Sequence, residues 1–86
     1  MGPLRKKLAK VLRAHFPAPD KVTLRDDDGV IAFVTSSRFR RLEPMDRQNI
    51  VWDILDKELT SAERKGIAVM ITVTPEEEIA HAAAGM

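Results

Sequence analysis

The sequence predicts an α+β domain with the element order α-β-β-α-β-α and a mixed three-stranded sheet. Three patterns predict it: a helical apolar pattern after Pro44, an Asp-Gly pair between two strand-like segments, and a third strand-like segment after the long helix. A hairpin makes the first two strands antiparallel, and a right-handed crossover makes the second and third parallel. We expect the first and the long helix to cover one face of the sheet, and residues 1–86 to form one domain.

The first helix is predicted from Pro3 to His15, because apolar residues recur there at helical spacing and basic residues occupy the opposite side. Pro3 suits the first helical turn, where an N–H would lack a partner. Pro17 and Pro19 stop the helix, since proline disfavours helix at its own position and at the residue before it.

A hairpin is predicted next, with strands at residues 21–25 and 30–35. Asp28 and Gly29 form its turn, because both residue types tolerate positive φ. The second strand is nearly all apolar, which is typical of a central strand covered on at least one face.

The long helix begins at Pro44. It is predicted to fade across residues 60–65 and to end at Gly66 in a left-handed cap. Its main apolar stripe consists of Ile50, Val51, Ile54 and Leu55.

The last strand is predicted at residues 67–73, where large apolar residues alternate with other residues, as in a strand of a sheet with two distinct faces. We expect the sheet's second face to be partly open, with small and polar side chains on it. A Thr74–Glu77 capping box then starts a short final helix that ends near Ala83. The alternation puts Ile67, Val69, Ile71 and Val73 on one face of the strand and Ala68, Met70 and Thr72 on the other.

Composition limits the possible functions. The chain has no cysteine, which excludes disulfides, thiolate metal sites and a cysteine nucleophile, and favours a cytoplasmic setting. No apolar run reaches the roughly 18 residues of a membrane span. Residues 1–41 carry a net charge of +6 and residues 42–86 a net charge of −5, so the fold has a basic and an acidic side unless the two halves intermix.

A basic turn before the long helix is the first candidate site, because guanidinium groups pair bidentately with phosphate and stack on bases. In the alternative, Phe39 and Leu42 lie in the core and the arginines are solvated or paired with Glu43, Asp46 and Asp53. The Gly-x-x-Gly loop of KH domains is absent. The candidate residues are Arg38, Phe39, Arg40, Arg41 and Arg47.

Two further candidates are weighed against simpler interpretations. The basic face of the first helix, Lys6 and Lys10 with Lys7 and Arg13, extends a phosphate-binding surface or is simply solvated. Trp52 packs in the core or, if partly exposed beside Met45, belongs to a partner surface.

The remaining polar residues predict neither a metal site nor catalysis. Asp26, Asp27 and Asp28 lack the ligand spacing of a calcium loop and indicate a polar turn. His15 and His81 have no supporting ligands nearby in the sequence. No nucleophile motif is present, so we expect no catalytic residue and no cofactor.

Four segments resemble the BolA family, whose fold is a variant of the type II KH domain. They read LRKKLAKVLRAHFP, VTSSRF, RQNIVWDIL and ITVTPEE, and together they span nearly the whole chain. The resemblance implies partnership with monothiol glutaredoxins through a shared iron–sulfur cluster held by His and Cys ligands. This sequence departs at three points: Gln48 replaces the histidine of an Arg-His-Arg element, Arg41 replaces a glycine, and the hairpin loop has neither His nor Cys.

The resemblance and the lack of catalytic groups predict a non-catalytic binding domain that docks a protein partner such as a glutaredoxin, with cluster ligation in doubt. The alternative is a KH-like domain that binds nucleic acid. The predicted contact residues are Arg38, Phe39, Arg40, Arg41, Arg47, Gln48, Trp52, Lys6 and Lys10. The oligomeric state stays open.

Overall fold

The computed structural model describes residues 3–84, and the side chains of residues 3–80. It confirms the predicted fold class and adds a 3-10 helix and the short helix α3. No helix in this range is long and apolar enough to cross a membrane. The elements are α1 (Pro3–His15), β1 (Lys21–Asp26), β2 (Val30–Thr35), a 3-10 helix (Ser37–Phe39), α2 (Pro44–Glu58), α3 (Ser61–Lys65), β3 (Ile67–Val73) and α4 (Pro75–Ala84).

The sheet has the order β1-β2-β3, with β2 in the centre as the sequence predicts. β1 pairs with β2 antiparallel, and β2 pairs with β3 parallel. Ala32 lies opposite Leu24 on one side and Met70 on the other, so it marks the middle of the core face.

Helices α1 and α2 pack on this face and form the core with it. The apolar stripe of α2 is narrower than predicted: Val51 and Leu55 are fully buried, but Ile50 is 37% exposed. α1 lies mainly against β1 and α2 against β3, and each helix contributes two fully buried residues to the core. The fully buried core residues include Leu8, Leu12, Val51, Leu55, Ala32 and Val34.

The predicted end of the long helix is wrong. Leu59 is extended and ends α2, and Thr60 then starts α3 with a capping box to Glu63. Gly66 is right-handed, with φ −79°, so it is not a left-handed cap. A Cβ at this position would contact the end of the Leu4 side chain on α1, which would have to move.

The predicted faces of β3 are wrong at Ile67. Val69, Ile71 and Val73 share a face as predicted, but the pairing with β2 shifts by one residue between Val30 and Ile31. This bulge turns Ile67 to the core face together with Met70. The second face of the sheet therefore carries large apolar residues, whereas the small residue Ala32 lies under the helices. Apolar residues of that second face are Ile31, Phe33, Val69, Ile71 and Val73.

The contrast between Leu55 and Ile50 gives the first prediction. We expect Leu55→Ala to lower the free energy of unfolding by about 2–5 kcal/mol, because it leaves a cavity in a modest core. Ile50→Ala removes a similar apolar side chain from a partly exposed site and should cost less than about 1 kcal/mol. Urea denaturation measures both, and equal losses would contradict the core described here.

Candidate functional site

Hydrogen bonds of a buried serine hold the turn between β2 and α2 in place. Ser36 is fully buried and caps the 3-10 helix, since its Oγ accepts a hydrogen bond from the Arg38 backbone N–H at 3.1 Å. The same hydroxyl donates to Asp20 Oδ2 at 2.9 Å. These contacts tie the turn to the loop before β1.

Phe39 belongs to the core and not to a ligand surface, in contrast to its place among the predicted contact residues. It is 0% exposed, and its ring centroid lies 5.7 Å from that of Phe16. Arg38 lies over the other ring, with its Cζ 4.2 Å from the Phe16 centroid, and it donates to the carbonyl of His15. Arg38 is therefore engaged at the end of α1.

Three consecutive glutamates of α4, the glutamate triplet Glu76–Glu77–Glu78, each contact a different part of the domain. Glu76 forms a bidentate pair with Arg40, whose Nε lies 2.9 Å from Oε1. Glu77 accepts from Arg47 Nη1 at 2.6 Å and Nη2 at 3.1 Å. Arg40 and Arg47 thus have acidic partners, although not the Glu43, Asp46 and Asp53 that the sequence suggested.

Glu78, the third residue of the triplet, connects α4 to strands β1 and β2. It accepts from Thr35 Oγ1 at 2.7 Å and from Lys21 Nζ at 3.1 Å. Arg47 also donates to the Leu42 carbonyl at 3.0 Å, and only 12% of its side chain is exposed. The turn, α2 and the sheet therefore meet at the start of α4.

These contacts lower the pKa values of the three glutamates of the triplet. The hydrogen bond from Arg40 lowers the pKa of Glu76, and the hydrogen bond from Arg47 lowers the pKa of Glu77. The Thr35 hydroxyl, with Lys21, lowers the pKa of Glu78. The pKa of Arg40 and of Arg47 is raised by the same hydrogen bonds, so these two pairs stay ionised at neutral pH.

Arg41 differs from its neighbours. It is exposed, it has φ 65°, and no described side chain pairs with it. This left-handed conformation is one that glycine adopts freely, and Arg41 stands where the resemblance to BolA proteins has a glycine. Arg41 is thus the one cation of the turn that is available to a ligand within the described part of the chain.

Gln48 bridges α2 and the edge strand β3. Its Nε2 donates to the Met70 carbonyl at 2.9 Å, and its Oε1 accepts from Trp52 Nε1 at 3.1 Å. Trp52 is partly buried against the core, so its apolar side is structural. Met45, two helical turns before Trp52, is 74% exposed.

The predicted basic face of α1 forms a separate surface. Lys6 and Lys10 are exposed and line a groove between α1 and β1 together with Arg5, Arg13 and Leu24. Arg38 contacts the end of α1 at the carbonyl of His15. Lys10 is five residues before His15, which is roughly 7.5 Å along the helix axis at about 1.5 Å per residue.

Comparisons with known proteins agree on the fold. No family model matches the sequence, and no curated protein matches it. BolA1 from Arabidopsis thaliana is similar in structure over 90% of this chain and 98% of that one, with 17% identity and a TM-score of 0.64. The chain has a BolA-like fold.

Two other solved structures agree with this. The BolA domain of SufE1 from Arabidopsis thaliana matches with 20% identity and a TM-score of 0.63, over 90% of this chain and 98% of that one. A bol-like protein from Babesia bovis matches with 26% identity and a TM-score of 0.56, over 88% and 90%. The resemblance inferred from the sequence is thereby confirmed in the fold.

The BolA-like positions for cluster ligands do not fit an iron–sulfur cluster in this chain. Both ends of the Gln48 amide are used in internal hydrogen bonds. The hairpin loop offers carboxylates, of which Asp26 lies 3.4 Å from Arg5. Among the side chains described, no three His, Cys, Asp or Glu residues are grouped as metal ligands.

The histidines add no ligand set to this comparison. His15 Nε2 lies 3.6 Å from Glu58 Oε2 in an exposed pair. The side chain of His81, the other histidine considered from the sequence, lies outside the described residues.

The lowered pKa values of the triplet predict an acid-sensitive contact. The stabilisation that these pairs give to the folded state is fully present above the ordinary glutamate pKa of about 4.3, and it is lost as pH falls through the lower folded-state values. Carboxyl ¹³C NMR should therefore place all three pKa values below the ordinary value. Arg40→Gln should raise the pKa of Glu76 and leave that of Glu78 in place; an ordinary pKa for Glu76 in the unaltered chain would contradict the pairing.

The left-handed conformation of Arg41 gives a further prediction. Arg41→Gly should raise the free energy of unfolding by up to about 1 kcal/mol, because a non-glycine residue with φ 65° carries backbone strain. Arg41→Ala removes the same side chain but keeps the strain, so it is the matched control and should give no such gain. Denaturant unfolding measures both variants.

Proposed function

We propose that this chain is a non-catalytic, BolA-like binding domain that docks a protein partner in the cytoplasm, with a monothiol glutaredoxin as the leading candidate. One observation carries the proposal: Arg41 in the turn before α2 and Met45 in the first turn of α2 are four residues apart, and both are exposed. Arginine and methionine are enriched at protein interfaces. An unpaired cation beside an exposed apolar side chain is typical of a protein contact.

The rest of this surface supports a rigid platform for docking. Gln48 and Trp52 connect α2 to β3, so the helix that carries Met45 is held to the sheet. Arg47 is anchored by Glu77 and by the Leu42 carbonyl. A platform whose side chains are already ordered loses less conformational entropy when a partner binds.

The proposed docking does not use cluster ligation by this chain. The Gln48 amide is committed to Met70 and Trp52. The partner is therefore recognised by the exposed start of α2 and by Arg41, and apo and cluster-loaded partners should bind through the same residues.

Nucleic-acid binding is the second candidate, and the α1 groove favours it. Lys6 and Lys10 are exposed beside Arg13, and none of the glutamates of the triplet lines this groove. Against it, Arg40 and Arg47 face Glu76 and Glu77, so a continuous basic surface does not run from α1 through the turn. A continuous basic surface is the usual electrostatic feature of phosphate-backbone binding.

A ¹⁵N NMR titration with an apo monothiol glutaredoxin tests the first proposal. We expect shifts of the Arg41 and Met45 amides and of the Trp52 indole N–H. Met45→Glu should weaken binding at least about tenfold, since it puts a charge into an apolar contact. Ile79→Glu is the matched control, because Ile79 on α4 is similarly exposed, at 70%.

A parallel titration with a single-stranded oligonucleotide separates the two candidates. Shifts of Lys6 and Lys10 that weaken as salt is raised would support the second function. An absence of any change at Arg41 and Met45 with the glutaredoxin would overturn the first.

A further inference from the structure

The second face of the sheet is a large apolar surface that the described helices leave mostly uncovered. α1 and α2 pack on the opposite face. α4 reaches one end of this face, through the Glu78–Thr35 hydrogen bond, and Ile79 of α4 is exposed. Val69 is 44% exposed, and Phe33 and Ile71, which pair across β2 and β3, are partly exposed at the centre.

Opposite charges lie at the two ends of this face. A groove across it has Arg25 at one end and Glu77 and Glu78 at the other, with Phe33 and Ile71 between them. Arg25 of β1 lies opposite Ile31 of β2, and Glu78 contacts Thr35 of β2. Ile31 and Thr35 are four residues apart, so the two charged ends of the groove are separated by roughly 13 Å along the strand, at about 3.3 Å per residue.

The carboxylates of Glu77 and Glu78 line the groove, while the cations that pair with them lie outside it. Lys21 and Arg47, which pair with Glu78 and Glu77, are not among the residues that line the groove. A carboxylate has lone pairs for more than one donor, and the two glutamate side chains remain 38% and 48% exposed. Both can therefore accept a hydrogen bond from an arginine of another molecule.

We propose that this face binds a second copy of the chain in a two-fold symmetric dimer, with Phe33 at the centre. A two-fold contact brings the same patch of both copies together, so a patch must complement itself. A rotation that reverses the strand direction places Arg25 of each copy against the glutamate end of the other. A patch with an apolar centre, a cation at one end and carboxylates at the other is therefore complementary to itself. This proposal does not depend on the partner-binding function proposed for α2.

Charge reversal and mixing test the dimer. In sedimentation equilibrium, the unaltered chain should show a concentration-dependent monomer–dimer equilibrium. Arg25→Glu and Glu78→Lys should each raise the dimer dissociation constant at least about tenfold, because each makes both end contacts repulsive. An equimolar mixture of the two variants should associate again, since residue 25 of one copy and residue 78 of the other then carry opposite charges at both ends of the mixed dimer.

Two more variants keep the test decisive. Val69→Lys should also disrupt the dimer, and it remains informative if Glu78→Lys loosens α4. Lys57→Glu, a charge reversal on the exposed side of α2, should leave the dissociation constant unchanged. A chain that sediments as a monomer up to millimolar concentration, or folded variants whose mixture does not associate, would overturn the proposal.

Discussion

The structure depends on the packing of α1 and α2 against one face of the three-stranded sheet, with α1 mainly over β1 and α2 over β3. Ala32 has no exposed surface and leaves room for both helices, and Leu8, Leu12, Val51 and Leu55 fill that space. A domain of this size buries only about 60–65% of its unfolded surface, so each of these contacts is a large share of its stability. The crossover through α2 and the position of the turn both follow from this packing.

Polar contacts then determine which groups of the turn remain available. No residue of α4 up to Ala80 is buried, and the helix is held to the domain by its capping box and the glutamate triplet. The triplet neutralises Arg40 and Arg47, and the aromatic core holds Arg38. What a partner meets at the start of α2 is therefore a small surface around Arg41 and Met45, and not a continuous basic patch.

Most of the fold could be predicted because its signals are local. The Asp28-Gly29 turn, the proline at the start of α2 and the Thr74–Glu77 capping box each act within a few residues. The prediction failed where pairing between strands decided the outcome. The bulge after Ile67 depends on the register of β3 against β2, and a one-residue shift moves a side chain to the other face.

The amino-acid sequence by itself determined the order of the main elements, the hairpin, the mixed sheet and the resemblance to BolA proteins, because periodicity, turns and capping depend on neighbouring residues. Only the tertiary structure decided that Phe39 is buried, that Arg41 alone in the turn is unpaired among the described residues, and that the second sheet face is apolar. The physical reason is distance along the chain: Arg40 and Glu76 are 36 residues apart, and Arg47 and Glu77 are 30 apart. Only folding brings such charges together.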